Sequence, residues 1–193
     1  LGGGNKSDIY VSNKDGTGQV NLTGFAEGGG NAGSPDWSPD GTKIAYEAGG
    51  DIYVMDSDGS SKINLTQTGS SSWPNNPLWS PNGQYISYSQ DGDMYVMDSD
   101  GGNKVNITNS DSTFWPWGGT WSPDGMTIFY EGGNNIWSVD YGDNYGVDNK
   151  NLTNNSNSDI WPSWPRVSSD GSILSLVMNN NIVIMRTDGT ESK

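Results

Sequence analysis

The chain has 193 residues, no cysteine, no histidine, and a formal net charge of −14 from 23 acidic and nine basic side chains. Disulfide, thiolate and imidazole chemistry are therefore excluded, and with them any ordinary Ser–His or Cys–His nucleophile. A nucleic acid needs a basic face, and an anionic membrane surface would repel this chain; cationic partners and neutral sugars stay open.

The elements follow in chain order. The opening Leu1-Gly2-Gly3-Gly4 lacks signal-peptide features and reads as the start of a mature or trimmed chain. No run approaches the roughly 18 apolar residues of a spanning helix, so no membrane insertion is expected. The first strand signals are "DIYVSN" and "QVNLT", within residues 7–31. Residues 34–72 then read as four strands, here A to D. Strand A leads into "WSPDG", B is "KIAYE", C is "DIYVMD", and D is "KINLT" after the turn "DSDG". The same order returns in residues 75–113 and in residues 118–158. Residues 163–190 repeat only A, B and C, as "WPRVSS", "ILSLV" and "NIVIMR". No segment has a helical period. Nine Trp and nine Tyr among 28 Gly suit short strands, tight turns and a core of large rings rather than a disordered acidic chain.

Trp37, Trp79 and Trp121 stand 42 residues apart, and Val167 takes the fourth position 46 residues on, after the longer stretch "DYGDNYGVDNK". A period near 42 built of strands is a propeller-blade signature. The repetition has a physical reason, because one four-stranded blade cannot bury both of its faces alone. The expected fold is an all-β propeller with three full blades, a partial blade at each end, and 17 strands. Strand C occurs at both ends, which leaves one copy surplus. Either the ring closes with about four blades and a spare strand, or the chain is an arc of a larger propeller, or the spare strand pairs with another copy.

The word "PDWSPDGTKIAYEAGGDIYVMDSDG" resembles the TolB-like β-propeller repeat, the Pro-Asp relative of the WD repeat. The resemblance runs from Asp8 to Gly189, specific in three copies and weaker in the fourth. It implies a propeller scaffold whose motif residues are mainly structural. Members serve as protein-binding scaffolds or as domains beside peptidases of the prolyl oligopeptidase type, and some relatives act on or bind polysaccharides. The expectation is a non-enzymatic, cofactor-free module at an extracellular, cell-surface or periplasmic location. It would bind or assemble other protein chains, copies of itself included, through its terminal strands, with filaments as one outcome. The alternatives are a carbohydrate-binding propeller and the propeller domain of a larger hydrolase.

In such a blade the B–C and D–A loops share one end. The B–C loops carry Glu47, Asp91 and Glu131; the D–A loops carry Trp73, Trp115, Trp117, Trp161 and Trp164. Indoles beside carboxylates suit sugar rings, whose C–H faces stack while their hydroxyls hydrogen-bond. The plainer alternative is that the Trp–Pro pairs plug the inner ends of the blades. Glu47 and Glu131 occupy equivalent positions in non-adjacent blades and could face each other as a glycosidase pair; solvated loop acids explain them equally well. The two "DSDG" words lack the distal Glu of a calcium loop and read as turns, so no metal site is expected. Asp51 and Asp93 read as turn or capping residues. Asn5, Asn21, Asn64, Asn106, Asn151 and Asn154 begin N-x-S/T sequons. With Val20/Leu22 and Ile63/Leu65 facing inward, the intervening Asn would face outward as a glycan acceptor in a secreted chain; the alternative is an unmodified polar outer strand.

Overall fold

The computed structural model describes residues 7–24, 31–69, 72–109, 116–141, 148–157 and 159–190. A two-stranded sheet comes first, β1 (Tyr10–Val11) with β2 (Val20–Asn21). Three four-stranded antiparallel sheets follow. They are β3 (Ala32–Trp37), β4 (Lys43–Ala48), β5 (Asp51–Asp56) and β6 (Ile63–Asn64); β7 (Asn75–Trp79), β8 (Tyr85–Gln90), β9 (Asp93–Asp98) and β10 (Val105–Asn106); and β11 (Trp117–Trp121), β12 (Thr127–Gly132), β13 (Asn135–Asp140) and β14 (Lys150–Asn151). The last sheet has three strands, β15 (Ser163–Val167), β16 (Ile173–Met178) and β17 (Asn181–Arg186). In every sheet the strands pair in sequence order, so each is a meander, as the repeat predicts.

The turn chemistry repeats with the sequence. In the A–B turn, the Ser38 hydroxyl donates to Asp40 at 2.7 Å and accepts the Lys43 N–H at 2.9 Å. Ser80, Ser122 and Ser168 make the same pair of bonds in the next three blades. Gly41 closes the turn at φ +70°, a conformation in which a side chain would be strained.

Strand D is held by a second motif. Thr66 Oγ1 accepts the Ile52 N–H at 3.0 Å and donates to Asp51 at 2.8 Å, while Asn64 Nδ2 donates to Asp51 at 2.9 Å. Asp8/Asn21/Thr23 and Asp93/Asn106/Thr108 repeat this arrangement. Asn135 replaces the aspartate in the third full blade. Asp51 and Asp93 are thus the acceptors that pin strand D to the start of strand C, a clamp made by side chains where the ladder itself is two residues long.

The core is a series of seams between successive sheets. Ala45, Ile52, Val54 and Leu65 meet Trp79, Ile86, Tyr88 and Met97. Met94, Val96 and Ile107 meet Trp121, Ile128, Tyr130 and Val139, and Phe129, Ile136 and Leu152 meet Leu174, Leu176 and Met185. The alternation along B and C puts one side-chain set on each seam. At the outer rim the C–D turn glycine touches the preceding blade. A Cβ on Gly59 would sit 3.1 Å from the Leu22 carbonyl, and one on Gly101 would sit 3.1 Å from that of Leu65. Leu22 and Leu65 face inward, as the alternation predicts, but Val20 and Ile63 are exposed. Strand D is short and lies at the rim, so its second apolar residue fills the seam, and of the first ones only Val105 is partly buried against it.

Two features mark the ends. Trp79 and Trp121 pack on the blade before them, whereas Trp37, whose predecessor has only β1 and β2, is exposed. No strand ladder joins β1–β2 to β15–β17 among the described residues, so the two copies of strand C occupy separate sheets.

Candidate functional site

Each inner strand is irregular near its start. The ladder shifts between Gly33 and Asp36, Asn75 and Leu78, Trp117 and Gly119, and Ser163 and Arg166. The equivalent residues inside the shifts, Ser34, Asn76, Gly118 and Trp164, all have φ between 48° and 55°. In two of the four copies the backbone N–H of the bulged residue reaches the preceding blade. Glu47 Oε2 accepts the Asn76 N–H at 3.1 Å, and Glu131 Oε2 accepts the Trp164 N–H at 3.1 Å. Ser89, the equivalent in the second full blade, donates instead to the Pro116 carbonyl at 2.8 Å.

Trp164 sits inside its bulge and Trp117 at the edge of one, while Trp73 and Trp161 precede theirs. In the pairs Trp73–Pro74, Trp161–Pro162 and Trp164–Pro165 the proline is buried, and the tryptophan is 64%, 66% and 67% exposed. Pro116 is buried too, and Trp117 beside it is 57% exposed. The prolines fill the blade ends, and the described indoles stand outside them. Trp115 lies outside the described residues. Trp73 rests over the B–C turn of the first full blade, where a Cβ on Gly50 would come within 3.3 Å of Cε3 of its ring.

Two cavities flank Trp117. One, of about 260 Å³, is lined by Trp73, Asn75, Gln90, Asp91, Pro116 and Trp117 among others. The other, of about 320 Å³, includes Asn76, Trp117, Glu131, Trp164 and Arg166 in its walls. The fold thus brings together Trp73, Asp91 and Trp117 on one side, and Trp117, Glu131 and Trp164 on the other. It places Trp161 and Glu47 in neither. Arg166 and Asn76, Asn75 and Gln90 were not singled out by the sequence. The signal for Arg166 was its column: Asp36, Leu78, Thr120 and Arg166 are equivalent, and only the first and last are charged.

Burial pushes the Glu131 carboxyl above its ordinary range, against the lowering effects of the Trp164 N–H and the Arg166 charge. Burial likewise raises Asp36, which accepts the Trp79 N–H at 2.7 Å and also feels Arg166. Arg166 itself donates to the Gly119 carbonyl at 3.3 Å, so it bridges the last two inner strands. In the "DSDG" words, Asp58 Oδ1 accepts the Ser60 N–H and hydroxyl, and Asp100 Oδ1 accepts the Gly102 N–H. These are turn bonds. Among the described residues no group of three or more acidic side chains is arranged to hold a metal.

The sequon asparagines carry a structural load. The amide nitrogens of Asn21, Asn64 and Asn106 donate to the strand C aspartates and approach the hydroxyls of Tyr10, Tyr53 and Tyr95. A glycan and this clamp would compete for the same atom. Asn151 Oδ1 accepts the N–H groups of Thr153 and Asn154, and Asn154 is exposed. Asn5 lies outside the described residues.

Residues 3–183 match the family model of the TolB beta propeller domain. The chain belongs to that family. Among solved structures, TolB from Acinetobacter baumannii is 22% identical with a TM-score of 0.70, over 96% of this chain and 48% of that one. A chain of a nidogen/laminin complex is 15% identical with a TM-score of 0.74, over 96% and 70%. An oligogalacturonate lyase in complex with manganese is 13% identical with a TM-score of 0.72, over 97% and 59%. No curated protein matches the sequence. These likenesses establish the TolB-type propeller fold, and the chain spans about half the length of the Acinetobacter TolB.

Proposed function

We propose that this TolB-like propeller is a non-catalytic binding module, acting outside the cytoplasm, whose contact surface is the end carrying Trp73, Trp117, Trp161 and Trp164. The observation that carries the reading is the split within the Trp–Pro words: the prolines are buried and the indoles are 57–67% exposed. Large exposed rings on a rigid scaffold are characteristic of recognition surfaces. The extracytoplasmic location rests on the family resemblance. The non-catalytic reading rests on the absence of His and Cys and on what the two candidate acids do: Glu47 and Glu131 each hold a neighbouring inner strand by its backbone. The test is retention of the chain on immobilised cell-envelope polysaccharide and protein fractions, against the fourfold alanine variant of the exposed indoles. Retention lost by a variant that keeps its melting temperature supports the reading. Equal retention refutes it, as would turnover of a glycoside abolished by Glu131→Gln.

A second reading, assembly with other protein chains or copies of itself, is favoured by β17. Ile182 and Ile184 are 76% and 49% exposed, whereas the equivalent Ile52 and Val54, Met94 and Val96 are at most 5% exposed in their seams. A sheet with that face open and an edge strand that has no further ladder among the described residues suits an added strand or blade. Solution mass across a dilution series, compared with Ile182→Ser/Ile184→Ser, checks it. A monomer at all concentrations, with and without the substitutions, refutes it.

A further inference from the structure

We infer that the two cavities flanking Trp117 form one cleft that binds a neutral oligosaccharide, with Trp117 shared between consecutive sugar rings. The inference rests on the reading of the indole-bearing end as a binding surface and names its ligand class. Three observations converge on it.

The first is geometry. Trp117 lines both cavities, Trp73 lines only the first and Trp164 only the second. A ligand occupying both must pass the central indole, and each half has an outer indole of its own. A chain of flat, repeating rings fits three spaced platforms. A compact small molecule would use one cavity and leave the other idle.

The second is the polar lining. Asn75, Gln90 and Asp91 stand in the first cavity, and Asn76, Glu131 and Arg166 in the second. Carboxylates accept hydrogen bonds and cannot donate when ionised, while carboxamides do both. Sugar hydroxyls donate and accept, so they satisfy this mixed set. A proline-rich peptide, the other ligand that aromatic grooves recognise, offers mainly carbonyl acceptors. It would set those carbonyls against Asp91 and Glu131.

The third is charge. The cleft holds two carboxylates against one guanidinium, on a chain of net charge −14. Uronic or sulfated sugars would be repelled by that field. Neutral hexose and N-acetylhexosamine chains would not.

The experiment is titration of the full chain with cellotetraose, chitotetraose and mannotetraose, read by tryptophan fluorescence and by calorimetry. The expected result is saturable binding of at least one, weakened about tenfold by Trp117→Ala, the loss of a shared stacked ring. Trp73→Ala and Trp164→Ala each weaken it less, because each removes one outer platform. Asp91→Asn, in the exposed B–C turn, and Gln90→Ala, at the partly exposed end of β8, give a second pair of variants that leave the rings in place and also lower affinity. Trp37→Ala, an exposed indole that lines neither cavity, leaves binding unchanged. The disaccharides bind more weakly than the tetrasaccharides if both cavities are used. The inference fails if no neutral oligosaccharide binds, or if binding is indifferent to Trp117→Ala. If a proline-rich peptide binds instead and loses affinity on Trp117→Ala, the sugar assignment fails while the binding surface stands. If neither binds and the envelope fractions are retained equally by the fourfold variant, both fail.

Discussion

Thr66→Val isolates the strand D clamp. Valine has nearly the shape of threonine and lacks the hydroxyl. In the native chain that hydroxyl accepts the N–H of Ile52, a fully buried residue, at 3.0 Å and donates to Asp51 at 2.8 Å. The substitution leaves a buried N–H without its partner, which costs about 1–3 kcal/mol, and removes one donor from a carboxylate. Asp51 keeps Asn64 and both the N–H and hydroxyl of Thr68, so its own loss is the smaller part. The expected destabilisation is about 2–3 kcal/mol, measured by urea unfolding of protein made without glycosylation. Thr66→Ser keeps both bonds and should cost less than about 1 kcal/mol, the loss of one methyl group. The repeat supplies an internal control. Thr153 makes the same two bonds, to the Ile136 N–H and to neutral Asn135, so Thr153→Val should cost about 1 kcal/mol less than Thr66→Val. Burial alone would raise the Asp51 pKa, but the bonds from Asn64, Thr68 and Thr66 hold it below its ordinary 3.8. That contribution is present above 3.8 and is lost as pH falls through the depressed value, so the gap between the two valine variants should close in acid. A Thr66→Val protein within 0.5 kcal/mol of the native chain at neutral pH, an effect on the order of experimental error, would refute the clamp.

Three further outcomes follow from the same geometry. Gly41→Ala and Gly59→Ala both place alanine at positive φ, but a Cβ at Gly41 meets open space while one at Gly59 lies 3.1 Å from the Leu22 carbonyl. Thermal or urea unfolding should therefore show about 1 kcal/mol lost at the first and about 2–3 at the second; equal losses would discount the rim contact. Glu131→Gln keeps an acceptor for the Trp164 N–H and removes a partly buried charge, so it should be at least as stable as the native chain at pH 7, while Glu131→Ala is less stable. Because the Glu131 pKa is raised, the native chain gains stability as pH falls through it, and its deficit against Glu131→Gln should disappear there; a pH-independent gap contradicts this. Asp170 is held at about 2 by the Ser168 hydroxyl and by the Ser172 N–H and hydroxyl, so its contribution is lost as pH falls from 3.8 toward 2. Asp170→Asn should flatten that part of the acid unfolding curve, and an unchanged curve would count against it.

The strands were legible because the period repeats the same local choices. "WSPDG" specifies a turn by its Ser, Asp and Gly, and the apolar alternation specifies which side of each sheet meets which neighbour. All 17 strands expected from the repeat are present. What the sequence obscured was register within the inner strand. Nothing in "PNNP" or "PSWPR" announces a bulge with a left-handed residue, and it is the bulged residue whose backbone N–H Glu47 and Glu131 hold. Strand D misled for a related reason. Its alternation is real, but two residues at the rim cannot bury both Val20 and Leu22, or both Ile63 and Leu65.

Repeat symmetry separates the demands of the fold from those of the cleft. Columns that keep their residue type are the ones in which every blade needs the same bond. Ser38, Ser80, Ser122 and Ser168 are one such column, and Thr23, Thr66, Thr108 and Thr153 another. Columns that break the period cannot be explained that way. Asn75, Trp117 and Ser163 are equivalent, as are Asn76, Gly118 and Trp164, and so are Asp36, Leu78, Thr120 and Arg166. Asn75, Trp117, Asn76, Trp164 and Arg166, all from these irregular columns, line the two cavities. A ligand is not four-fold symmetric, so a site for one must be built where the copies differ. The inner strand can vary there because its bulge is set by backbone geometry and tied to the preceding blade through backbone atoms, by an acid accepting the Asn76 or Trp164 N–H and by the Ser89 hydroxyl donating to the Pro116 carbonyl, so the tie does not depend on the side chain. Trp117 has that freedom and uses it to stand between two cavities, which makes its substitution the most informative single change in this chain.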